Sequence, residues 1–199
     1  MDTPFLAPPA VFIRKLLNAC LKTGDSVLDG TAGNGHDTLF LAQCVGASGR
    51  VFAFDIQQSA LDNTSARLKS AGCAGQVSLI RAGHERLADY IDTSLAAAVF
   101  NFGYLPGGDK QVTTQADTSV AALAAACKLL RPGGLLTATL YPGHEAGERE
   151  ANTVETWAST LSQQDVQVLR YQFINQRNRP PYLLVFEKCR PAPATGNPL

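Results

Sequence analysis

The sequence predicts one α/β domain: a mostly parallel, seven-stranded sheet with helices on both faces and an antiparallel last strand. Three observations lead there. Short apolar, β-branched runs alternate with segments of helical period along almost the whole chain. The fourth run, "LAAAVF", is apolar without alternation, as a strand covered on both faces must be. The last two runs are joined by a short loop with no helix, too short for a parallel crossover of a dozen or more residues. At 199 residues the chain suits a single domain, one able to bury roughly 70% of its unfolded surface without staples.

The elements follow in order. Residues 9–21 carry apolar side chains at Val11, Ile13, Leu16, Leu17, Cys20 and Leu21, a helical period entered through Pro8 and Pro9. "SVLDG" reads as a short buried strand, and "HDTLFLAQCV" returns to helix period until Gly46. A second strand spans 50–56, a helix 57–71, a third strand 76–82 and a short helix 84–91. The fourth strand is placed at 94–104, followed by a loop and a helix over 116–130. "RPGG" is expected to turn into a fifth strand at 135–141. A helix over 145–163, a strand over 166–174, the loop "NQRNRPP" and a last strand at 182–188 complete the domain at residue 189. Residues 190–199, "RPAPATGNPL", lack apolar period and are expected to be a disordered tail.

Composition narrows the function classes. Seventeen basic and seventeen acidic residues balance, so no global field draws the chain to nucleic acid or anionic lipid. The five cysteines form no C-x-x-C pair, so neither a metal site nor a disulfide framework is expected. No apolar run approaches the ~20 residues of a membrane span, and the N-terminus lacks a basic region ahead of an apolar core. A cytoplasmic location is the expectation.

In such sheets ligands bind beyond the carboxyl ends of the strands, where strand order reverses. Polar residues end five different strands: Asp29, Asp55, the Gly83-His84 pair, Asn101 and Tyr141. After Asp29 comes G-T-A-G-N-G-H-D, including Thr31, Gly33, Asn34, Gly35 and Asp37. The glycines permit backbone shapes and close approaches that side chains would block, and a helix opening near Asn34 offers free N–H groups. A dinucleotide fingerprint would need glycine where Thr38 stands, which weakens that reading. Asp55 falls twenty residues past Gly35, where a carboxylate accepts from ribose hydroxyls, though aspartate there also caps helices. Ile56 and Gln57 follow it, with Ile56 able to flank a nucleobase. His84 reads as an adenine-edge contact and Glu85 as a helix-capping residue.

"FNFGYLPGGDK" places Asn101 at the end of an apolar strand, a costly position for an amide with no hydrogen-bond partner. Tyr104 follows, and Asp109 and Lys110 read as loop charges or substrate contacts. In "YPGHEAGERE", Tyr141 and His144 are placed near the same edge, His144 as a proton acceptor. Arg177 and Arg179, beside Tyr182, read either as phosphate or base contacts or as a solvated hairpin tip.

Together "DGTAGNGHDTLFLA", "FDIQQSAL", "FNFGYLPGGDK", "YPGHEAGERE" and "RPPYLLVFEK" resemble the YtqB/MnmM-like class I methyltransferases, a group labelled as rRNA methylases. N-F-G-Y is similar to the N-P-P-Y motif of amino-group methyltransferases, with Phe102 and Gly103 in place of the prolines. The resemblance, over residues 8 to 189, implies a Rossmann-like fold and S-adenosyl-L-methionine as cofactor. It implies N-methylation of the aminomethyl group of 5-aminomethyl-(2-thio)uridine at a tRNA wobble position, with tRNA as partner and a homodimeric assembly. Asp29, Thr31, Gly33, Asn34, Gly35, Asp37, Asp55, Ile56, Gln57, Gly83, His84 and Asn101 would hold the cofactor. Asn101, Tyr104, Tyr141 and His144 would serve the reaction, and Tyr104, Asp109, Lys110, Arg177 and Arg179 the substrate. The alternatives are methylation of ribosomal RNA or of a small amine on the same fold, and an NAD(P)-dependent oxidoreductase.

Overall fold

The structure is a computed structural model that describes residues 6–103 and 113–189. Helix α1 (Pro9–Cys20) leads into β1 (Ser26–Asp29), α2 (His36–Val45), β2 (Arg50–Asp55), α3 (Gln58–Ser70) and β3 (Val77–Arg81). A 3-10 helix (His84–Asp89) precedes β4 (Leu95–Asn101), α4 (Ala116–Leu129) and β5 (Leu130–Leu140). Helix α5 (Glu145–Ser159) and the antiparallel pair β6 (Val166–Tyr171) and β7 (Tyr182–Lys188) close the domain.

The seven strands lie in the order β3-β2-β1-β4-β5-β7-β6. β1 pairs in parallel with both β2 and β4, and β5 pairs in parallel with β4 and antiparallel with β7. Strand order therefore reverses between β1 and β4, where the β1–α2 turn and the end of β4 meet. The apolar run of β4 is buried on both faces, with one core cluster around Phe54, Phe100, Leu123 and Phe186 and a second around Leu17, Leu41, Val51 and Val185. Among the described residues no helix is long and apolar enough to cross a membrane.

Several boundaries differ from expectation. β5 starts at Leu130 rather than after the R-P-G-G turn: Leu130 pairs with Leu95, and a register shift follows before Ala97 pairs with Leu135. The turn-forming residues are absorbed as an irregularity inside the strand. Gly133 takes φ +75°, and Gly134 packs so closely that an added Cβ would lie about 3 Å from the carbonyls of Leu95, Ala96 and Arg131. α5 ends at Ser159, where Thr160 and Leu161 donate back to Trp157 and Ala158 and a turn around Ser162 leads into β6. β6 ends at Tyr171, whose partner is Leu183, and β4 at Asn101, whose partner is Thr139. α2 opens at His36, after Gly35 in the left-handed conformation, rather than at Asn34.

Gly30, at the end of β1, shows how tightly the switch point is packed. A Cβ there would fall inside the Phe100 ring. The strand can therefore lie against β4 only with hydrogen at this position.

Candidate active site

The β1–α2 turn is pinned from three sides. Ala32 donates to the Phe54 carbonyl (2.8 Å) and Gly35 to the Ala32 carbonyl (2.8 Å). Gly33, at φ +52°, donates its N–H to Asp55 Oδ2 (3.0 Å), while Asp55 Oδ1 accepts from the Gln57 N–H (2.9 Å). Gln57 is the N-cap residue of α3, so Asp55 supports that entry while its carboxylate faces the turn. Ile56, beside it, is 55% exposed, a large apolar side chain left at the crevice mouth.

Asp29 has no exposed surface. Its Oδ1 accepts from the Thr31 N–H (3.1 Å) and its Oδ2 from Thr38 Oγ1 (2.6 Å), so it reaches the crevice through those two residues. Thr38, where a dinucleotide fingerprint has glycine, is thus buried and committed to Asp29. Burial, then the nearby charge of Asp37, pushes the Asp29 carboxyl up to about 7, against the hydrogen bonds from Thr38 and Thr31. Among the described residues no Lys or Arg forms an ion pair with Asp29, Asp37 or Asp55. Asp37 and Asp55, with no such partner, make this edge complementary to a positively charged ligand, while Asp29 adds only part of a charge near neutral pH.

Because the folded state raises this acid above its ordinary 3.8, the folded chain keeps a proton that the unfolded chain has lost. Stability from this group is therefore present at low pH and falls as pH rises from about 4 to about 7. Asp29→Asn, which can still accept from Thr31 and donate to Thr38, is expected to raise the melting temperature of the ligand-free protein. The gain should be larger at pH 8 than at pH 5, by up to about 1.4 kcal/mol per pH unit within that window. Calorimetry showing the same difference at both pH values would contradict the assignment.

Asn101, at the end of β4, joins this cluster. Its backbone N–H donates to Thr31 Oγ1 (2.7 Å) and its Nδ2 donates to Asp37 Oδ2 (2.7 Å). A carboxylate only accepts, so Asp37 fixes the amide's orientation and leaves Oδ1 as the acceptor. Phe102 is buried and stacks on Phe100 at 5.5 Å. Gly103, at φ +125°, donates to Thr114 Oγ1 (2.8 Å) and accepts from the Thr114 N–H (3.0 Å). Sequence reasoning missed Thr114, which ties the chain on one side of residues 104–112 to the chain on the other.

His84 lies edge-on to Phe100 and Phe102, with ring centroids 6.1 and 5.7 Å away. Burial lowers its pKa, opposed by Glu85, a hydrogen bond with the Gly30 backbone and Asp55, so the ring is neutral near pH 7. Its Nε2 is buried and has no hydrogen-bond partner among the described residues. Gly83 is covered by the Glu85 carboxylate, which occupies the space a Cβ would take.

Tyr141 is 39% exposed, its ring 3.8 Å from where a Cβ on Gly103 would stand, and its phenol pKa is raised by burial and by Asp37. It therefore shares the cluster with Asp37 and Asn101. His144 is the N-cap of α5, its Nδ1 accepting from the Gly147 N–H (3.1 Å). Arg179 pairs with Glu148 (2.5 Å), and its carbonyl lies near Gly143, so the β6–β7 loop sits on the β5–α5 loop at the same edge. Arg177 is exposed on that loop. Tyr182, read beside the arginines, is instead a core residue: it is 3% exposed, with its ring under the Arg170 guanidinium. Tyr104, Asp109, Lys110 and the tail from residue 190 lie outside the described residues.

Comparison with known proteins is decisive at the level of family. A family model described as "Putative rRNA methylase" matches residues 51–187. The chain belongs to this family. A protein of the same description from Clostridium thermocellum superposes with a TM-score of 0.91 at 39% identity, over 93% of this chain and 100% of that one. SMU.1697c of Streptococcus mutans, solved in complex with SAH, superposes with a TM-score of 0.85 at 34% identity, over 92% of this chain and 99% of that one. The tRNA (mnm5s2U34)-methyltransferase of Arabidopsis thaliana chloroplasts is 35% identical over 178 residues, 84% of this chain. The chain spans only 65% of that relative's length. The fold is the class I methyltransferase fold, and family membership removes the oxidoreductase alternative.

Proposed function

We propose that this chain is an S-adenosyl-L-methionine-dependent methyltransferase that N-methylates the aminomethyl group of 5-aminomethyl-(2-thio)uridine at the tRNA wobble position, acting in the cytoplasm as a homodimer. The similarity to the chloroplast tRNA enzyme and to the SAH complex supports this reading. The observation that carries it is the Asn101 amide, held by Asp37 so that a carbonyl oxygen is left to accept at the end of β4. An amine must show its lone pair to a methyl donor, so acceptors on its N–H bonds orient it.

The crevice fits the cofactor on its own observations. His84 presents a buried ring nitrogen with no partner among the described residues, Ile56 an exposed apolar side chain, and Asp55 a carboxylate at the turn. When bound, the cofactor supplies a methyl group on an already activated sulfonium. Asp55 would accept from the ribose hydroxyls, Ile56 would flank the adenine and His84 would meet its edge. Gly33 and Gly35 leave the turn bare for close approach, and Asp37 would supply negative charge opposite the cation. Asn101 Oδ1 would accept from the amine, with Tyr141 and Tyr104 packing on the substrate.

Only the neutral amine carries a lone pair. An acceptor-lined pocket with limited water disfavours the ammonium form unless a carboxylate points directly at it. Asp37 is turned to Asn101 instead. The N-cap of α5 commits His144 Nδ1 to the Gly147 N–H and leaves the hydrogen of the neutral ring on Nε2, so a water near His144 would take the proton released as the N–C bond forms. Proximity and orientation of this kind are worth roughly 7–11 kcal/mol. Arg177 and Arg179, on the loop at that edge, would meet the RNA, and Lys110 and Asp109 are proposed as further substrate contacts.

The test is methyl transfer from labelled S-adenosylmethionine to two tRNA preparations, one carrying the aminomethyl group and one lacking it. Label is expected in the first alone. Equal labelling of both would end the wobble-amine proposal, and labelling of ribosomal RNA instead would favour the rRNA alternative.

A further inference from the structure

Three side chains of α3 close on the glycine turn. Thr64 Oγ1 donates to the Gly33 carbonyl (3.0 Å), Arg67 Nε to the Asn34 carbonyl (2.7 Å), and Asn63 Nδ2 to Asn34 Oδ1 (3.1 Å). Positions 63, 64 and 67 share one helix face, so a single rigid element makes all three contacts. Gly35 sits against the same element: a Cβ there would lie 2.9 Å from the Thr64 Cα, and its φ is +76°. The Gly33 peptide is thus held on both sides, its N–H by Asp55 and its carbonyl by Thr64. Two successive carbonyl oxygens are drawn onto α3 rather than left to face a ligand's carboxylate.

We propose that Arg67, with Thr64 beside it, is a positioning residue that sets cofactor affinity by clamping the Gly33–Asn34 backbone onto α3. This rests on the reading above, in which that turn holds S-adenosylmethionine. Neither side chain belongs to the set that sequence reasoning assigned to the ligand; their effect passes through the backbone they hold. An open cleft of about 580 Å³ runs beside the clamp, lined by Asn34, His36, Asn63, Arg67 and Ser70 among others. Arg67 also lies 3.2 Å from His36 Nε2 in that cleft. Shortening the side chain therefore opens onto solvent and leaves no sealed void.

The experiment is titration of the full chain with S-adenosylhomocysteine, alongside steady-state kinetics and melting curves, for Arg67→Met, Arg67→Lys and Thr64→Val. Arg67→Met is expected to weaken binding and raise KM for S-adenosylmethionine by about tenfold, the loss of one charge-assisted hydrogen bond. kcat at saturation should stay within about twofold, since the acceptor geometry at Asn101 is untouched. Arg67→Lys, which retains a donor, should recover part of the loss, and Thr64→Val should shift KM in the same direction. Wild-type affinity in both Arg67→Met and Thr64→Val would overturn the clamp while leaving the cofactor reading intact. So would a fall in melting temperature and kcat without a change in affinity. Failure of the unaltered chain to bind S-adenosylhomocysteine would instead remove the cofactor reading itself.

Discussion

Asn101→Ala is expected to lower kcat by about 100-fold or more while leaving affinity for S-adenosylhomocysteine within a few-fold of the unaltered chain. The magnitude follows from what removing one preorganised polar group at a reacting centre commonly costs. The specificity follows from geometry. The Asn101 side chain is engaged by Asp37, and its backbone N–H, which alanine keeps, is the group that holds Thr31. Truncation therefore removes the amine's acceptor without cutting the tie between β4 and the turn. Asp37→Ala should show a smaller fall in kcat, because it frees the amide to rotate but does not delete it. Single-turnover kinetics with saturating cofactor separate the two from any binding defect. Undiminished turnover in Asn101→Ala would leave the acceptor role without support.

Asp55→Ala should produce the mirror image: affinity for S-adenosylhomocysteine falls by about 100-fold or more, and kcat at saturation changes little. Two hydrogen bonds from ribose hydroxyls to a carboxylate are each worth roughly 1.5–3 kcal/mol, and each 1.4 kcal/mol is tenfold. The substitution also releases the Gly33 N–H and the entry to α3. Asp55→Asn keeps one acceptor oxygen and should fall between. Isothermal titration measures both, and an unchanged dissociation constant in Asp55→Ala would remove Asp55 from the ribose site.

Much of the architecture was legible because local signals agreed with the tertiary answer. The helix at 36–45 lies between glycines, the apolar run of β4 has no solvent face, and β7 matches its expected span. Topology alone then gathered Asp29, Asp55, Asn101 and Tyr141 toward one edge. What stayed hidden was pairing. Arg131-Pro132-Gly133-Gly134 has the chemistry of a turn, yet Leu130 finds Leu95 across the sheet and the strand starts early. Tyr182 opens the expected last strand beside the arginine loop, but its register opposite Leu140 turns it into the core. Thr38, Arg67 and Thr114 carry no motif; each matters through a partner 9, 33 or 11 residues away. Nothing in their neighbours along the chain announces those contacts.

Asp29, the first of the strand-end acids along the chain, is also the most buried. Asp29 is shielded by Thr31 and Thr38, so its charge reaches a ligand only through the turn and through Asp37. It acts from inside the protein and carries only part of a charge near neutral pH.

The measurement that tests the central claim most directly is mass spectrometry of tRNA nucleosides from cells with and without this chain. Loss of the chain should abolish the methylated aminomethyl nucleoside and leave its unmethylated precursor to accumulate, with other methylated nucleosides unaltered. Unchanged levels of both, or loss of a methyl group elsewhere in RNA, would contradict the account.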